Sequence, residues 1–344
     1  MTLAKTLDNR HCSFVGSVKN GIPFSDTLLT KFGETYDPKN ELQSNQHIGQ
    51  RKLLLSEIQL LNHYYSKNKD NAVYPTIVYV GSAPGTHLLF LKYMFPKVKF
   101  ILYDGANFDP RLRNDLTGSF ELYNEYFTDD VCKTLKKRFA ASLKSDLLFI
   151  SDIRMDQKDK KMFEKQVAID NALQLGWIKI LKPKYSLLKF RLPYHLKHGE
   201  SYNYLKGRVM YQMWPPAVSG ETRLLVSKSA ISSPLVPYDF KQYEEAMFFH
   251  NKWARGYCFS LPLNHELSPI VYTKNNSHCT CYDCMAELYT LQEYTKLEEL
   301  RPKPKELRVL LAEINKPMYD LRKSKFGQKV DLTVIDEFVK AAKR

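Results

Sequence analysis

The chain has 344 residues, enough for one large domain with appendages or two modest ones. Hydrophobic residues make up 44%, so a substantial core can be buried, and no run of about eighteen apolar residues offers a membrane span. The formal charge of +14 favours a polyanionic partner such as nucleic acid over a cationic one. Met1 to Phe14 lacks a charged-then-apolar leader pattern, and Cys12, Cys132 and Cys258 are scattered, so a soluble protein of a reducing compartment is expected.

In chain order, residues 1–45 are polar and weakly periodic and read as an arm or a set of short elements. Leu54, Ile58 and Leu61 recur at helical spacing, predicting a helix from Gly49 to His63. Thr76–Val80 is a short apolar run that stops at Gly81, as a buried strand meeting a tight loop does. A helix is predicted from Thr86 to Phe95, and strands over Lys99–Tyr103, Asp146–Ser151 and Tyr185–Phe190. A long helical pattern runs from Asp156 to Leu181, and Thr222–Ser227 adds a strand. Alternating strands and helices imply a largely parallel sheet covered on both faces. A helix is expected over Tyr238–Ala254, and after residue 260 further helices over Tyr282–Leu300, Lys305–Ile314 and Leu332–Ala342.

The segment Tyr79-Val-Gly-Ser-Ala-Pro-Gly-Thr-His87 carries the most chemistry. A glycine loop at the carboxyl end of a strand is where open α/β sheets hold ligands. Its G-x-x-x-G spacing is neither the nicotinamide fingerprint nor a P-loop. Asp104 ends the next strand, where a carboxylate accepts from the two ribose hydroxyls of an adenosine. Loop and acid together suit S-adenosylmethionine.

These segments resemble those of the poxvirus family of cap-specific 2′-O-methyltransferases, which also serve as the small subunit of the poly(A) polymerase. Gly81-Ser-Ala-Pro-Gly-Thr-His87 resembles its donor loop, and Gly49-Gln-Arg-Lys-Leu-Leu-Leu55 its first lysine segment. Ile150-Ser-Asp-Ile-Arg154, Leu187-Leu-Lys-Phe-Arg191 and Gly220-Glu-Thr-Arg-Leu-Leu225 resemble its aspartate, second lysine and glutamate segments. The motifs keep the family's order from about Tyr36 to about Glu244.

The resemblance implies a Rossmann-like S-adenosylmethionine-dependent methyltransferase sheet over residues 46–260. It leaves an N-terminal arm (1–45) that contributes to the cap pocket and a helical C-terminal extension (261–344) that it does not cover. It implies a catalytic tetrad of Lys52, Asp152, Lys189 and Glu221, and donor contacts from Gln50, Tyr79, Gly81, Ser82, Gly85, His87, Asp104 and Asp152. The methylated guanine of the cap would lie between Tyr36 and Tyr194, its edge read by Glu244. Leu196 departs from the pattern, because it stands near a second pocket carboxylate of the family and its side chain cannot hydrogen-bond.

A ribose hydroxyl must lose its proton as it attacks the donor's methyl group. A lysine takes that proton when a like charge and partial burial favour its neutral form, which casts Lys189 as base with Lys52 as the like charge. The expected reaction carries capped mRNA from cap 0 to cap 1. The alternatives are a ribosomal or transfer RNA ribose methyltransferase and a non-catalytic processivity subunit. A viral poly(A) polymerase or other capping machinery is the expected protein partner, and the host cytoplasm, with packaging in the virion, the expected location. No metal is expected. His278, Cys279, Cys281 and Cys284 form the alternative zinc cluster, with only one CxxC among them.

Overall fold

The computed structural model describes residues 49–68, 73–141, 145–154, 159–194, 201–216, 219–251, 255 and 282–297, with the single positions 307, 310 and 314. Strand β1 (Pro75–Val80) is buried along its whole length. It pairs in parallel with β2 (Lys99–Tyr103) on one side and β4 (Asp146–Ser151) on the other. A strand so enclosed has no wet face, which is why its residues run apolar without alternation. Strand β3 (Phe120–Tyr123) extends the parallel sheet beyond β2, and β5 (Tyr185–Phe190) extends it beyond β4. Two antiparallel pairings finish it: β8 (Thr222–Ser227) against β5, and β7 (Arg208–Met210) against β8. The order is β3-β2-β1-β4-β5-β8-β7, with a separate ribbon of β6 (Ser201–Tyr204) and β9 (Val236–Asp239). The connections change direction between β1 and β4, which opens a crevice at their carboxyl ends.

Helices α1 (Gly49–Ser66), α2 (Leu88–Met94), α3 (Pro110–Arg113), α4 (Asp129–Ala141), α5 (Lys160–Leu181), α6 (Lys228–Ile231), α7 (Phe240–Phe249) and α8 (Tyr282–Thr295) complete the described elements. The expected 156–181 helix begins at Lys160, because the Asp159 side chain accepts from the Met162 amide and caps it. It ends where Lys182 turns left-handed at φ 50°. The expected 238–254 helix starts at Phe240, since residues 236–239 are drawn into β9 by pairing with β6. On one side of the sheet the Phe127 ring packs edge-on against Trp177 at 4.9 Å and against Tyr103 at 5.0 Å. Each such ring contributes about 1.5–3 kcal/mol on burial.

The described residues fall into two compact units that are not consecutive in sequence. One holds the sheet, from His63 to Gln212 and Gly220 to Tyr243. The other gathers the chain up to Asn62, Met213–Ser219 and the chain from Glu244 onward. That second unit has its own polar core. The Arg51 guanidinium lies 4.8 Å from the Trp214 ring centre and pairs with Glu287, which also accepts from Trp214 Nε1 at 2.9 Å. Arg255, buried, pairs with Asp283 at 3.0 Å. Of the expected C-terminal helices, that over 282–300 is present as α8 from Tyr282 to Thr295. Those over 305–314 and 332–342 lie outside the described residues, single positions aside.

Candidate active site

The glycine loop is built against the end of β4. Gly81 sits at φ 75°, and a Cβ there would lie 2.9 Å from the backbone of Asp152 and of Ile153. The loop therefore needs glycine because β4 passes close beneath it, as well as for its left-handed backbone. Gly81→Ala is expected to destabilise the sheet unit by about 1–3 kcal/mol and to loosen the loop. A thermal unfolding midpoint equal to that of the parent would count against this packing.

Asp104 ties the loop to β2. Its Oδ2 accepts from the Ala83 amide at 2.9 Å and its Oδ1 from the Ala106 amide at 2.8 Å. The carboxylate is held in one orientation, half-buried, with lone pairs left over on both oxygens. Tyr79, Ser82, Gly85 and His87 are buried, and Ser82 Oγ donates to the Tyr79 carbonyl at 3.3 Å. His87 precedes α2, where its carbonyl accepts from the Phe90 and Leu91 amides. Tyr79, Ser82 and His87 shape the loop from within through their side chains and Gly85 through its backbone, while Gly81 and Asp104 keep partly open surface.

Three of the four residues of the expected tetrad meet at the carboxyl ends of β4 and β5. Lys189 Nζ stands 3.3 Å from Asp152 Oδ1 and 3.5 Å from Glu221 Oε2. The Lys189 backbone is gripped by Gln174, which accepts from its amide at 3.1 Å and donates to its carbonyl at 3.0 Å. Lys52, buried on α1, and Gln50, in the first turn of that helix, belong to the other unit.

Two arginines that lie within the motifs but that the resemblance assigns no role hold the carboxylates from behind. Arg223 is fully buried, donating to Asp152 Oδ1 at 2.6 Å, to the Ser151 carbonyl at 3.2 Å and to Gln212 Oε1 at 3.1 Å. Burial opposes its charge, but Asp152, with smaller help from Tyr79 and Glu221, outweighs this and raises its pKa. Arg154 Nε donates to Glu221 Oε1 at 3.1 Å and Arg154 Nη1 to Asp170 Oδ2 at 3.0 Å. Burial is the main influence on Asp170 and raises its pKa, against the opposing pull of Gln166 and Arg154. Lys189, Arg154 and Arg223 thus face Asp152, Glu221 and Asp170, so the buried charges are compensated. The available signal was the spacing itself: Arg154 lies two residues after Asp152, and Arg223 two after Glu221.

Of the expected cap residues, Tyr36 and Leu196 lie outside the described residues. Tyr194 is half-buried, its ring 5.9 Å from that of Phe240 and 5.3 Å from the Arg191 guanidinium. Its amide donates to Glu164 Oε2 at 3.1 Å. Glu244 is half-buried on α7 and belongs to the other unit. Cys284 is half-buried on α8, whereas His278, Cys279 and Cys281 lie outside the described residues. Among the described residues no cluster suited to a metal occurs, and no helix is long and apolar enough to cross a membrane.

A five-stranded parallel sheet extended by an antiparallel strand beside β5, with a glycine loop after β1 and an acid ending β2, defines a Rossmann-like methyltransferase fold. The chain belongs to the poly(A) polymerase regulatory subunit family, whose model matches residues 24–314. It is 31% identical over 233 residues to the cap-specific mRNA (nucleoside-2′-O-)-methyltransferase of myxoma virus (strain Lausanne), covering 64% of this chain and 66% of that protein. The protein of the same name from fowlpox virus (strain NVSL) is 31% identical over 230 residues, covering 64% and 73%. The chain thus spans just under two thirds of the length of the myxoma relative. Among solved structures, human methyltransferase-like protein 13 in complex with SAH aligns over 64% of this chain and 96% of that one. The identity there is 13% and the TM-score 0.29, so the fold assignment rests on the strand order.

Proposed function

We propose that the protein transfers a methyl group from S-adenosylmethionine to the ribose 2′-hydroxyl of the first transcribed nucleotide of m7G-capped mRNA. The observation that carries this reading is a lysine amine held between two carboxylates at the sheet's ligand-binding edge, beside the glycine loop. Similarity to the viral cap methyltransferases supports the cap as substrate.

The chemistry of the loop fits the donor, because the fixed Asp104 carboxylate matches the two vicinal hydroxyl donors of a ribose. When bound, the sulfonium supplies an activated methyl group whose sulfur keeps the bonding electron pair. Lys189 Nζ takes the hydroxyl proton as the new O–C bond forms. Asp152 and Glu221 then stabilise the resulting ammonium, and their own positions are set by Arg223 and Arg154. Lys52, by the family resemblance, supplies the like charge near the base, and Gln50 a donor contact. The cap would stack on Tyr36 and Tyr194 with Glu244 at its edge, an arrangement that favours the positive charge of a methylated guanine. The RNA behind it would be held by its phosphates on a basic chain.

Two measurements test this reading. With labelled donor, methyl transfer to m7G-capped RNA is expected, at the first nucleotide, and little to the same RNA uncapped. Equal transfer to both would replace the cap with a ribosomal or transfer RNA substrate. Asp104→Ala is expected to weaken donor binding about 10- to 100-fold, from loss of charge-assisted hydrogen bonds of about 1.5–3 kcal/mol. Calorimetric titration with S-adenosylhomocysteine reads it, and an unchanged Kd would remove Asp104 from the donor site.

We also infer a poly(A) polymerase as protein partner and the host cytoplasm, with packaging in the virion, as the place of action. The matched family supports the partnership. Co-purification with a viral poly(A) polymerase tests it, and a monodisperse chain that never associates would remove the partner.

A further inference from the structure

A second pocket lies at the other end of β5 from Lys189, on the sheet edge where its parallel strands begin. Ligands of open α/β sheets sit at the carboxyl ends of the strands, so this pocket is separate from the proposed methyl-transfer site. It encloses about 420 Å³, within the range of small-molecule sites. Its walls include His63, Tyr185, Lys206, Arg208, Ser227 and Ser229, and no carboxylate is among the described residues that line it. Asp146, at the start of β4, is engaged by Lys184 at 2.7 Å and by the Tyr64 hydroxyl at 2.7 Å.

The pocket's shape follows from local chemistry. Gly207 lets the chain press onto β8, for a Cβ there would stand 2.8 Å from the Leu225 carbonyl oxygen and 2.8 Å from the Leu224 side chain. That close approach sets Lys206 and Arg208 on either side of one contact point. The end of β8 supplies hydroxyls: Ser227 Oγ and Ser229 Oγ are 2.9 Å apart, and Ser233 Oγ donates to the Ser229 carbonyl at 3.0 Å. The His63 ring stands edge-on to the Tyr185 ring at 4.8 Å and an interplanar angle of 82°. Burial first, then the charges of Arg208 and Lys67, hold His63 below its usual pKa, so the positive field there comes from the longer cations.

We propose that this pocket binds the phosphate-bearing end of a nucleotide, with Lys206, Arg208 and the serine hydroxyls on the phosphate and the His63–Tyr185 rings beside the base. A guanidinium, an ammonium and hydroxyls gathered in one pocket are the donor set that phosphate oxygens select. Two aromatic rings offer a base a surface without reading its sequence. The nucleotide comes either free or as part of an RNA strand.

The full chain is titrated by calorimetry with AMP, ATP, inorganic phosphate and a short uncapped RNA. S-adenosylhomocysteine and a cap dinucleotide are kept at saturation to occupy the methyl-transfer site. Each probe is repeated with Lys206→Glu combined with Arg208→Glu, and with Ser229→Glu as a milder change on the exposed rim, with unfolding midpoints as the fold control. Saturable binding of AMP or ATP that weakens about tenfold or more in both variants supports a free nucleotide. The same loss for the RNA alone supports a strand phosphate. Probes that bind wild type and variants alike, or bind neither, overturn the proposal. So does inorganic phosphate binding as tightly as AMP, since the rings would then contribute nothing.

Discussion

Replacing Lys189 by alanine is expected to lower kcat for methyl transfer by about 10²- to 10⁴-fold, the range of a lost general base, with the donor Kd unchanged. The fold should tolerate the change. Asp152 retains Arg223 at 2.6 Å and Glu221 retains Arg154 at 3.1 Å, so neither carboxylate is left as an uncompensated charge. Lys189→Arg separates proton transfer from simple charge. A guanidinium keeps the positive charge between the two acids but stays protonated at any working pH, so it should be as inactive as alanine. Single-turnover assays with saturating donor and capped RNA give the result directly. Transfer by Lys189→Arg at near-parental rates would show that Lys189 acts as a fixed charge and that the proton leaves by another route.

Arg223→Met should be the most damaging change to stability in the sheet unit. The methionine fills part of the space but strips Asp152 Oδ1, the Ser151 carbonyl and Gln212 Oε1 of donors they meet in the core. Breaking one side of a buried ion pair costs about 3–5 kcal/mol, which in a unit of this size lowers Tm by roughly 10 °C. Activity should fall as well, because Asp152 would turn toward Lys189 without its second anchor. Arg223→Lys should recover part of the stability, since an ammonium reaches one of the three acceptors rather than spanning them. Thermal unfolding followed by circular dichroism checks both variants. A midpoint for Arg223→Met within a degree or two of the parent would mean that the guanidinium does not carry the network.

Several features were legible in the linear chain because their causes are local. The strands over 99–103, 146–151, 185–190 and 222–227 occupy the expected residues. Burial on both faces leaves a short apolar run at the heart of each strand, such as Leu187–Leu188 and Leu224–Val226, bounded by polar or charged residues near the sheet edge. The donor loop could be seen because a strand that stops at Gly81 leaves a visible mark, and Asp104 because it ends the next strand. Half-buried β3 and the short strands β6, β7 and β9 left no such mark. Their pairing is made by neighbours in space, and in the case of β9 it overrides a helical pattern.

By itself, then, the sequence determined the class of sheet, the glycine loop with its acid, the family, and the chemistry that Asp152, Lys189 and Glu221 are suited to. Only the tertiary structure decided that Gly81 must lack a side chain because Asp152 runs beneath it. The same is true of Arg223 and Arg154 as the groups that orient the two acids, and of Gln174 as the bracket on the Lys189 backbone. In a list of 51 basic residues these arginines look like any surface cation. What sets them apart is the antiparallel register that places Lys189 opposite Arg223, with partners 71 positions away for Arg223 and 67 for Arg154. A buried charge is stable only where an opposite charge meets it, and that meeting is a property of the folded sheet, with no counterpart in local residue patterns.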